Sequence, residues 1–434
     1  MLLLLVVAFR LVVAHLFVSN CVAHDDHYDP QQFTTTGSST TTPSDALPTA
    51  DAFRASASEP PDTSQPLRVF VMMGQSNMVG FGVVDGQERP GTLENLVVNG
   101  QYLHLVDTSE GDDDDNDNDD GRSARTSTGT SRWAERQDVY SIWRQAAGGP
   151  QKGQGPVDKG GGQLRVGWND HSARFIGPEI QFGHVVGHVL RAPVLIIKVG
   201  TGNRSLGWDF LPPDSLPYED SEGKQHPGYG QCPGGDNKED CLANYGWYAG
   251  LQYDRDFDHV KGILENIKDF VPASMYNETA GFEVAGFVFW QGFKDTVNPG
   301  HVETYRKNMK SYLKSLWKSY AEYPGPKKFV ASTIAFGGCT DFLPLEDLVY
   351  KAQRRVDGEN LPKLYGRAKT IDARPYWRDR AVSPGGGRSH YNGNAETYLR
   401  VGNALGWAMA DLLQNTTYYQ RLLYEEEQDS CSSS

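Results

Sequence analysis

Short apolar runs, each closed by glycine, proline or charge, alternate along the chain with segments whose apolar residues recur at steps of three and four. No other feature restricts the fold as much. The runs at 68–73, 194–199, 286–290 and 329–334, with a weaker one at 368–371, have the length of strands. Between and after them, 254–270 sets Phe257, Val260, Leu264, Ile267 and Phe270 on one helical face, and 302–317 does so with Tyr305, Met309, Leu313 and Leu316. A last stripe in 395–413 carries Tyr398, Val401, Leu405, Met409 and Leu412. Strands separated by helices pair in parallel and are covered on both faces. The expected fold is therefore α/β, a three-layer α/β/α, doubly wound, mainly parallel sheet of about five strands. At 434 residues the chain is long enough to bury a substantial core as one large domain or two smaller ones.

The ends and insertions read differently. Residues 1–23 are apolar from Leu2 to Val7 and from Leu11 to Val18 and finish on small residues, which predicts a cleaved signal peptide and a secreted protein without stable membrane association. Arg10 interrupts the run and no basic residue precedes it, so an uncleaved signal anchor is the alternative. Residues 24–65 are rich in Ser, Thr, Pro and Asp and are expected to be a disordered linker. Within the main domain, 66–415, an acidic insertion at 109–131 reads as a solvated loop, because the order of its carboxylates does not match a calcium loop. Residues 416–434 are expected to form a tail. The formal net charge of −14 argues against nucleic acid and anionic lipid as partners. Nothing in the sequence sets the oligomeric state.

Cys232 and Cys241 bracket a polar, Gly-rich loop, and an oxidising compartment would let them pair; two free thiols are the alternative. Asn203, Asn277 and Asn415 each stand in a glycosylation tripeptide, with Asn277 and Asn415 the expected acceptors.

The chemistry concentrates where the first run meets Gly74-Gln75-Ser76-Asn77-Met78. A hydroxyl at the C-terminal end of a parallel strand sits where open α/β sheets bind ligands; alone it could equally be a helix cap. Three further segments follow: Gly177-Pro178-Glu179, Lys198-Val199-Gly200-Thr201-Gly202-Asn203-Arg204-Ser205-Leu206, and Trp290-Gln291-Gly292-Phe293. Together, in this order, the blocks resemble those of SGNH hydrolases of the sialate O-acetylesterase-like branch, which includes carbohydrate esterase family six. The resemblance spans about 67–413 and implies an SGNH (flavodoxin-like) fold and a serine esterase that needs no cofactor or metal.

The resemblance implies Ser76 as nucleophile and His390, in Ser389-His390-Tyr391 just before the last helix, as base. It implies the N–H groups of Ser76 and Gly202 and the amide of Gln291 as an oxyanion hole, with Gln75, Asn77 and Asn203 beside the substrate. Where SGNH enzymes often place an Asp three residues before the His, this chain has Gly387. Asp295 is the preferred third member of the triad, with Asp372 or a backbone carbonyl as substitutes. Phe293 stands where carbohydrate esterases of this branch often carry Glu. Trp208, Tyr229, Tyr245, Trp247 and Tyr248 could stack on sugars or pack their own loop.

The expected activity is hydrolysis of O-acetyl or similar short acyl esters, with an acetylated carbohydrate as the implied substrate. Two alternatives stay open: a carbohydrate-binding protein on the same scaffold with impaired catalysis, and a lipase- or thioesterase-like hydrolase.

Overall fold

The computed structural model describes residues 47–107, 133–145, 157–167 and 174–425. The expected signal peptide, the first part of the linker, the acidic insertion and the end of the tail lie outside the described residues.

The main sheet contains β1 (Leu67–Gly74), β3 (Arg136–Gln145), β4 (Val157–Leu164), β6 (Val194–Lys198), β9 (Phe282–Trp290), β10 (Lys328–Ser332) and β11 (Ala368–Ile371). Two small ribbons pair β2 (Gly82–Val83) with β5 (Phe175–Ile176) and β7 (Tyr218–Glu219) with β8 (Gln225–His226). The strand order is β11-β10-β9-β1-β6-β3-β4. Every neighbouring pair is parallel except β3 with β4, which closes one edge. The sheet thus has seven strands where about five are expected from the sequence. The five apolar runs are the five strands β1, β6, β9, β10 and β11. The two extra strands lack an unbroken apolar run: in β3 buried Arg136, Asp138 and Ser141 interrupt Val139, Ile142 and Trp143, and β4 contains Gly160, Gly161 and Gly162.

Alternation along the strands builds the layers. On β9, Phe287 meets Tyr320 and Phe289 meets Tyr312, in and just after the helix Pro299–Ser319. Gly286 and Trp290 point the other way, to Met409 and Tyr398 of the helix Ala395–Gln414. On β1, Met73 touches Tyr312, whereas Phe70 packs edge-on against Phe182 of the helix Glu179–Leu190. The helices Glu179–Leu190 and Ala395–Gln414 approach so closely that a Cβ on Gly402 would lie 2.2 Å from the carbonyl oxygen of Pro178.

Two further helices lie in the end segments. Residues 50–58 are a helix, capped by Thr49, that buries Phe53 against His104, His188 and Trp407. The polar composition of 24–65 as a whole hid its inner face of Phe53, Ser56 and Ala57. Residues 418–425 likewise form a helix that buries Tyr419 and Leu422. Among the described residues, no helix is long and apolar enough to cross a membrane.

Candidate active site

β1 delivers Ser76. It ends at Gly74, whose φ of +146° and whose approach to the Trp290 carbonyl, 2.2 Å from where a Cβ would lie, admit only glycine. The chain then turns into a single helical turn, Ser76–Val79, with Ser76 at its start and 8% exposed. Gln75, fully buried, fixes the turn: its Oε1 accepts from the backbone N–H of Lys294 at 3.1 Å and of Gly292 at 3.4 Å.

His390 reaches Ser76 from the opposite end of the domain sequence. Its Nε2 lies 3.0 Å from Ser76 Oγ. The left-handed residues Tyr391 (φ +49°) and Asn392 (φ +55°) turn the chain sharply from His390 into the last long helix. Two contacts hold the loop down: Asn77 Nδ2 donates to the Ser389 carbonyl at 3.2 Å, and the Tyr398 hydroxyl donates to Asn77 Oδ1 at 3.0 Å. The Phe81 ring stacks on the imidazole, with centroids 4.1 Å apart and planes 2° from parallel. Burial holds the His390 pKa below its ordinary value, which favours the uncharged ring. In the Nδ1–H tautomer, Nε2 accepts the Ser76 hydroxyl proton.

No family model matches the chain. No curated protein matches it either. Among solved structures it is similar to a protein from Arabidopsis thaliana, at 14% identity over 79% of this chain and 98% of that one, with a TM-score of 0.40. It is similar to a carbohydrate acetylesterase from Xanthomonas citri, at 12% identity over 81% of this chain, with a TM-score of 0.43; the match spans 58% of that protein. A third similar structure is NanS, at 10% identity over 82% of this chain and 99% of that one, with a TM-score of 0.38.

The loop after β6 brings Gly202 to the serine. Thr201 N–H donates to the Gly74 carbonyl at 3.0 Å, and a Cβ on Gly202 would lie 4.0 Å from Ser76 Cβ with nothing nearer. Asn203, at φ +59°, is exposed beside it. Of the three residues expected beside the substrate, Asn203 alone presents its side chain to solvent. Gln75 and Asn77 are buried and spend their polar atoms on positioning.

Asp295 does not meet His390. It is fully buried and accepts from the backbone N–H of Leu206 at 2.9 Å, of Gly207 at 2.8 Å, and from Gln291 Nε2 at 2.5 Å. Burial pushes its pKa up to about 6 against the pull of these three donors. The expected third triad member is thus a brace for the loop that carries Gly202. Asp372 is also occupied elsewhere, by Arg374 and the Tyr350 hydroxyl. Among the described residues, no carboxylate pairs with His390.

Gln291 departs from its expected role for the same reason. Its amide hydrogens go to Asp295 and to the Arg204 carbonyl at 3.0 Å, and its Oε1 accepts from the Tyr305 hydroxyl at 2.9 Å. A buried amide whose two hydrogens are already donated has none for a substrate oxyanion.

Cys232 and Cys241 are disulfide-bonded and pack with Trp247, Tyr248 and Leu251 in a small core of their own. Trp247 and Tyr248 are therefore buried in packing, Trp208 and Tyr229 half-buried, and Tyr245 exposed. The Arg204 guanidinium lies 4.3 Å from the Trp247 ring centre. Phe293 packs edge-on against Phe336. Asn277 and Asn415 are exposed.

Lys198, at the end of β6, and Phe81 were not assigned roles from the sequence. Lys198 is fully buried, pairs with Glu179 at 2.8 Å and donates to the Val79 carbonyl at 2.7 Å, which clamps the helical turn that holds Ser76 from behind. A lysine closing an apolar strand was the available signal. Phe81 gave none, because an aromatic residue after a helical turn reads as core.

Proposed function

We propose that the chain is a serine esterase that hydrolyses short acyl esters, acetyl esters of carbohydrates among them, by way of an acyl-enzyme on Ser76. The observation that carries this reading is the 3.0 Å contact between Ser76 Oγ and His390 Nε2 at the C-terminal ends of parallel strands. In the first half-reaction, the Ser76 hydroxyl proton passes to His390 Nε2 as Oγ attacks the ester carbonyl. The tetrahedral oxyanion lies against the N–H groups of Ser76 and Gly202. Ser76 opens its helical turn, where an N–H has no intrahelical acceptor. Collapse expels the alcohol, which takes the proton from His390. Water then repeats the sequence on the acyl-serine and releases the carboxylic acid. The carbohydrate as substrate comes from the motif resemblance. Secretion is part of the same reading, and the Cys232–Cys241 disulfide is consistent with it.

The absence of a carboxylate beside His390, among the described residues, favours one rival: a carbohydrate-binding protein with impaired catalysis. The deciding test is p-nitrophenyl acetate hydrolysis by residues 24–434, run beside Ser76→Ala and His390→Ala, followed by acetate release from acetylated glycans. Turnover that vanishes in both folded variants supports the esterase. Wild-type turnover equal to that of Ser76→Ala overturns it and leaves glycan binding to be measured.

A further inference from the structure

Among the described residues no carboxylate stands behind His390, yet its ring is stacked in one orientation. The means are visible in the segment Ser76–Phe81. One helical turn separates the nucleophile from Phe81, and Gly80, at φ +101°, turns the chain so that the Phe81 ring comes back over His390. A Cβ on Gly80 would lie 2.6 Å from the Gly177 backbone, so this turn is closely packed. Phe81 is then fixed from two sides. The ribbon of β2 with β5 starts at the next residue, and Phe175 of β5 packs on the Phe81 ring with centroids 5.6 Å apart. The loop that bears His390 is tied to the same helical turn through Asn77.

We propose that Phe81 is the positioning residue that takes over part of the work of a triad acid, which no described residue supplies, by stacking on His390 and holding its Nε2 on Ser76. This inference rests on the esterase reading. A triad acid does two things: it orients the imidazole, and it stabilises the imidazolium that forms as the serine proton is taken up. A face-stacked ring does the first through contact, since rotating the imidazole would break a 4.1 Å, near-parallel stack. It does the second more weakly, because the negative face of an aromatic ring attracts a cation. The substitution is partial: losing the acid from a full triad costs about ten-thousandfold in turnover, whereas a ring face against a cation supplies on the order of tenfold. The chain should accordingly be a slow esterase whose remaining rate depends on the ring.

The test compares Phe81→Leu, Phe81→Tyr and Phe81→Trp with wild type and Ser76→Ala on p-nitrophenyl acetate, measuring kcat and KM separately, with circular dichroism and melting temperature for each. Leucine keeps the site apolar and removes the ring; tyrosine and tryptophan keep a ring. The expected result is kcat lowered about ten- to a hundredfold in Phe81→Leu, KM within about twofold, and kcat largely retained in Phe81→Tyr or Phe81→Trp. Ser76-dependent turnover that Phe81→Leu leaves within about twofold of wild type overturns the inference while the esterase stands. Turnover independent of Ser76 overturns the esterase itself. If Phe81→Leu is unfolded, the ring variants decide: equal loss of kcat in folded Phe81→Tyr and Phe81→Trp also overturns the inference.

Discussion

The Gln291 amide donates to the Asp295 carboxylate at 2.5 Å, and this contact joins the end of β9 to the loop after β6, since Asp295 also accepts from Leu206 and Gly207. A carboxylate that satisfies three buried donors is costly to alter. Asp295→Asn keeps the shape but brings a second amide against Gln291 and against two backbone N–H groups. Each buried donor left unpaired costs about 1–3 kcal/mol. The variant is expected to melt several degrees lower and to lose about tenfold or more in kcat as the Gly202 loop loosens. Urea unfolding and p-nitrophenyl acetate kinetics check both; a variant as stable and as active as wild type would contradict the bracing role.

The same carboxylate gives stability and activity opposite responses to pH. Its pKa rises from 3.8 in the ordinary state to about 6 in the fold, because burial outweighs its hydrogen bonds. Between about pH 4 and 6 the folded protein therefore holds a proton that the unfolded chain releases. Stability from this group is fully present below pH 4 and is lost as pH rises through 6, by about 3 kcal/mol at 1.4 kcal/mol per unit. Activity runs the other way: below pH 6 the neutral carboxyl carries its own proton toward donors that need an acceptor. Turnover should fall on the acid side near pH 6. In Asp295→Asn the stability slope between pH 4 and 6 should flatten, which urea titrations across that range measure.

Gly387 offers a place to set a carboxylate beside His390, where no described residue supplies one. Its backbone, at φ −76°, suits any residue, and the nearest atom to an added Cβ is Ser389 Oγ at 3.4 Å. Its carbonyl accepts the backbone N–H of His390 at 2.9 Å, so a side chain there belongs to the same turn as His390. A carboxylate stabilises the charged ring, raises its pKa and opposes the effect of burial. Gly387→Asp is expected to raise kcat about tenfold and to move the acid limb of the His390 titration to higher pH. Gly387→Asn, which lacks the charge, should do neither. Identical pH–rate profiles for the two variants would mean that the carboxylate does not reach the ring.

How far the sequence speaks for the structure depends on what kind of signal each part leaves. β1, β6, β9, β10 and β11 are buried on both faces and read as apolar runs, and the long helices carry their stripes openly. β3 and β4 do not, because polar residues and glycines break their patterns: Arg136 is buried on a bidentate contact with Asp138 of the same strand at 2.8 Å and on the His184 carbonyl at 3.2 Å. In the site, Ser76 and His390 were legible as motif residues and lie together. Asp295 and Gln291 were legible as important but not in function, since both are polar, buried and near Ser76 in the fold. Only the hydrogen-bond directions separate a brace from a catalyst. The stack of Phe81 on His390 joins residues 309 positions apart (390 − 81) and leaves no local pattern at all.

The buried pair of Lys198 and Glu179 makes a prediction about Ser76. Both side chains are at most 1% exposed, and burial holds the Lys198 pKa below its ordinary value against the pull of Glu179. Removing one partner of such a pair typically costs about 3–5 kcal/mol, because the other charge stays buried. Lys198→Met should be destabilised by that amount in urea. It should also lose turnover, since the Val79 carbonyl, three residues from Ser76, loses its donor. The double variant Lys198→Met with Glu179→Gln should recover part of the stability, because no lone charge remains. Additive losses in the double variant would show that the two groups do not act as a pair.

The Cys232–Cys241 disulfide closes a short loop, with a sequence separation of 9, so in the chain-entropy view it contributes on the order of 2–3 kcal/mol. Its structural reach is longer. It packs under Trp247, Trp247 faces Arg204, and the Arg204 carbonyl accepts from Gln291. A bond remote from the serine in sequence is in this way connected to the loop that carries Gly202. Replacing both cysteines by serine should lower the melting temperature and also reduce kcat for p-nitrophenyl acetate. Reduction of the native protein should do the same at temperatures where circular dichroism still reports a folded sheet. The Trp247→Leu variant, with the disulfide intact, separates the two effects. It should reproduce the kinetic loss with a smaller change in melting temperature, because the packing on Arg204 is removed while the loop stays closed. Unchanged kcat in both variants would confine the disulfide to stability and break the proposed link from the cystine core to the active-site loop.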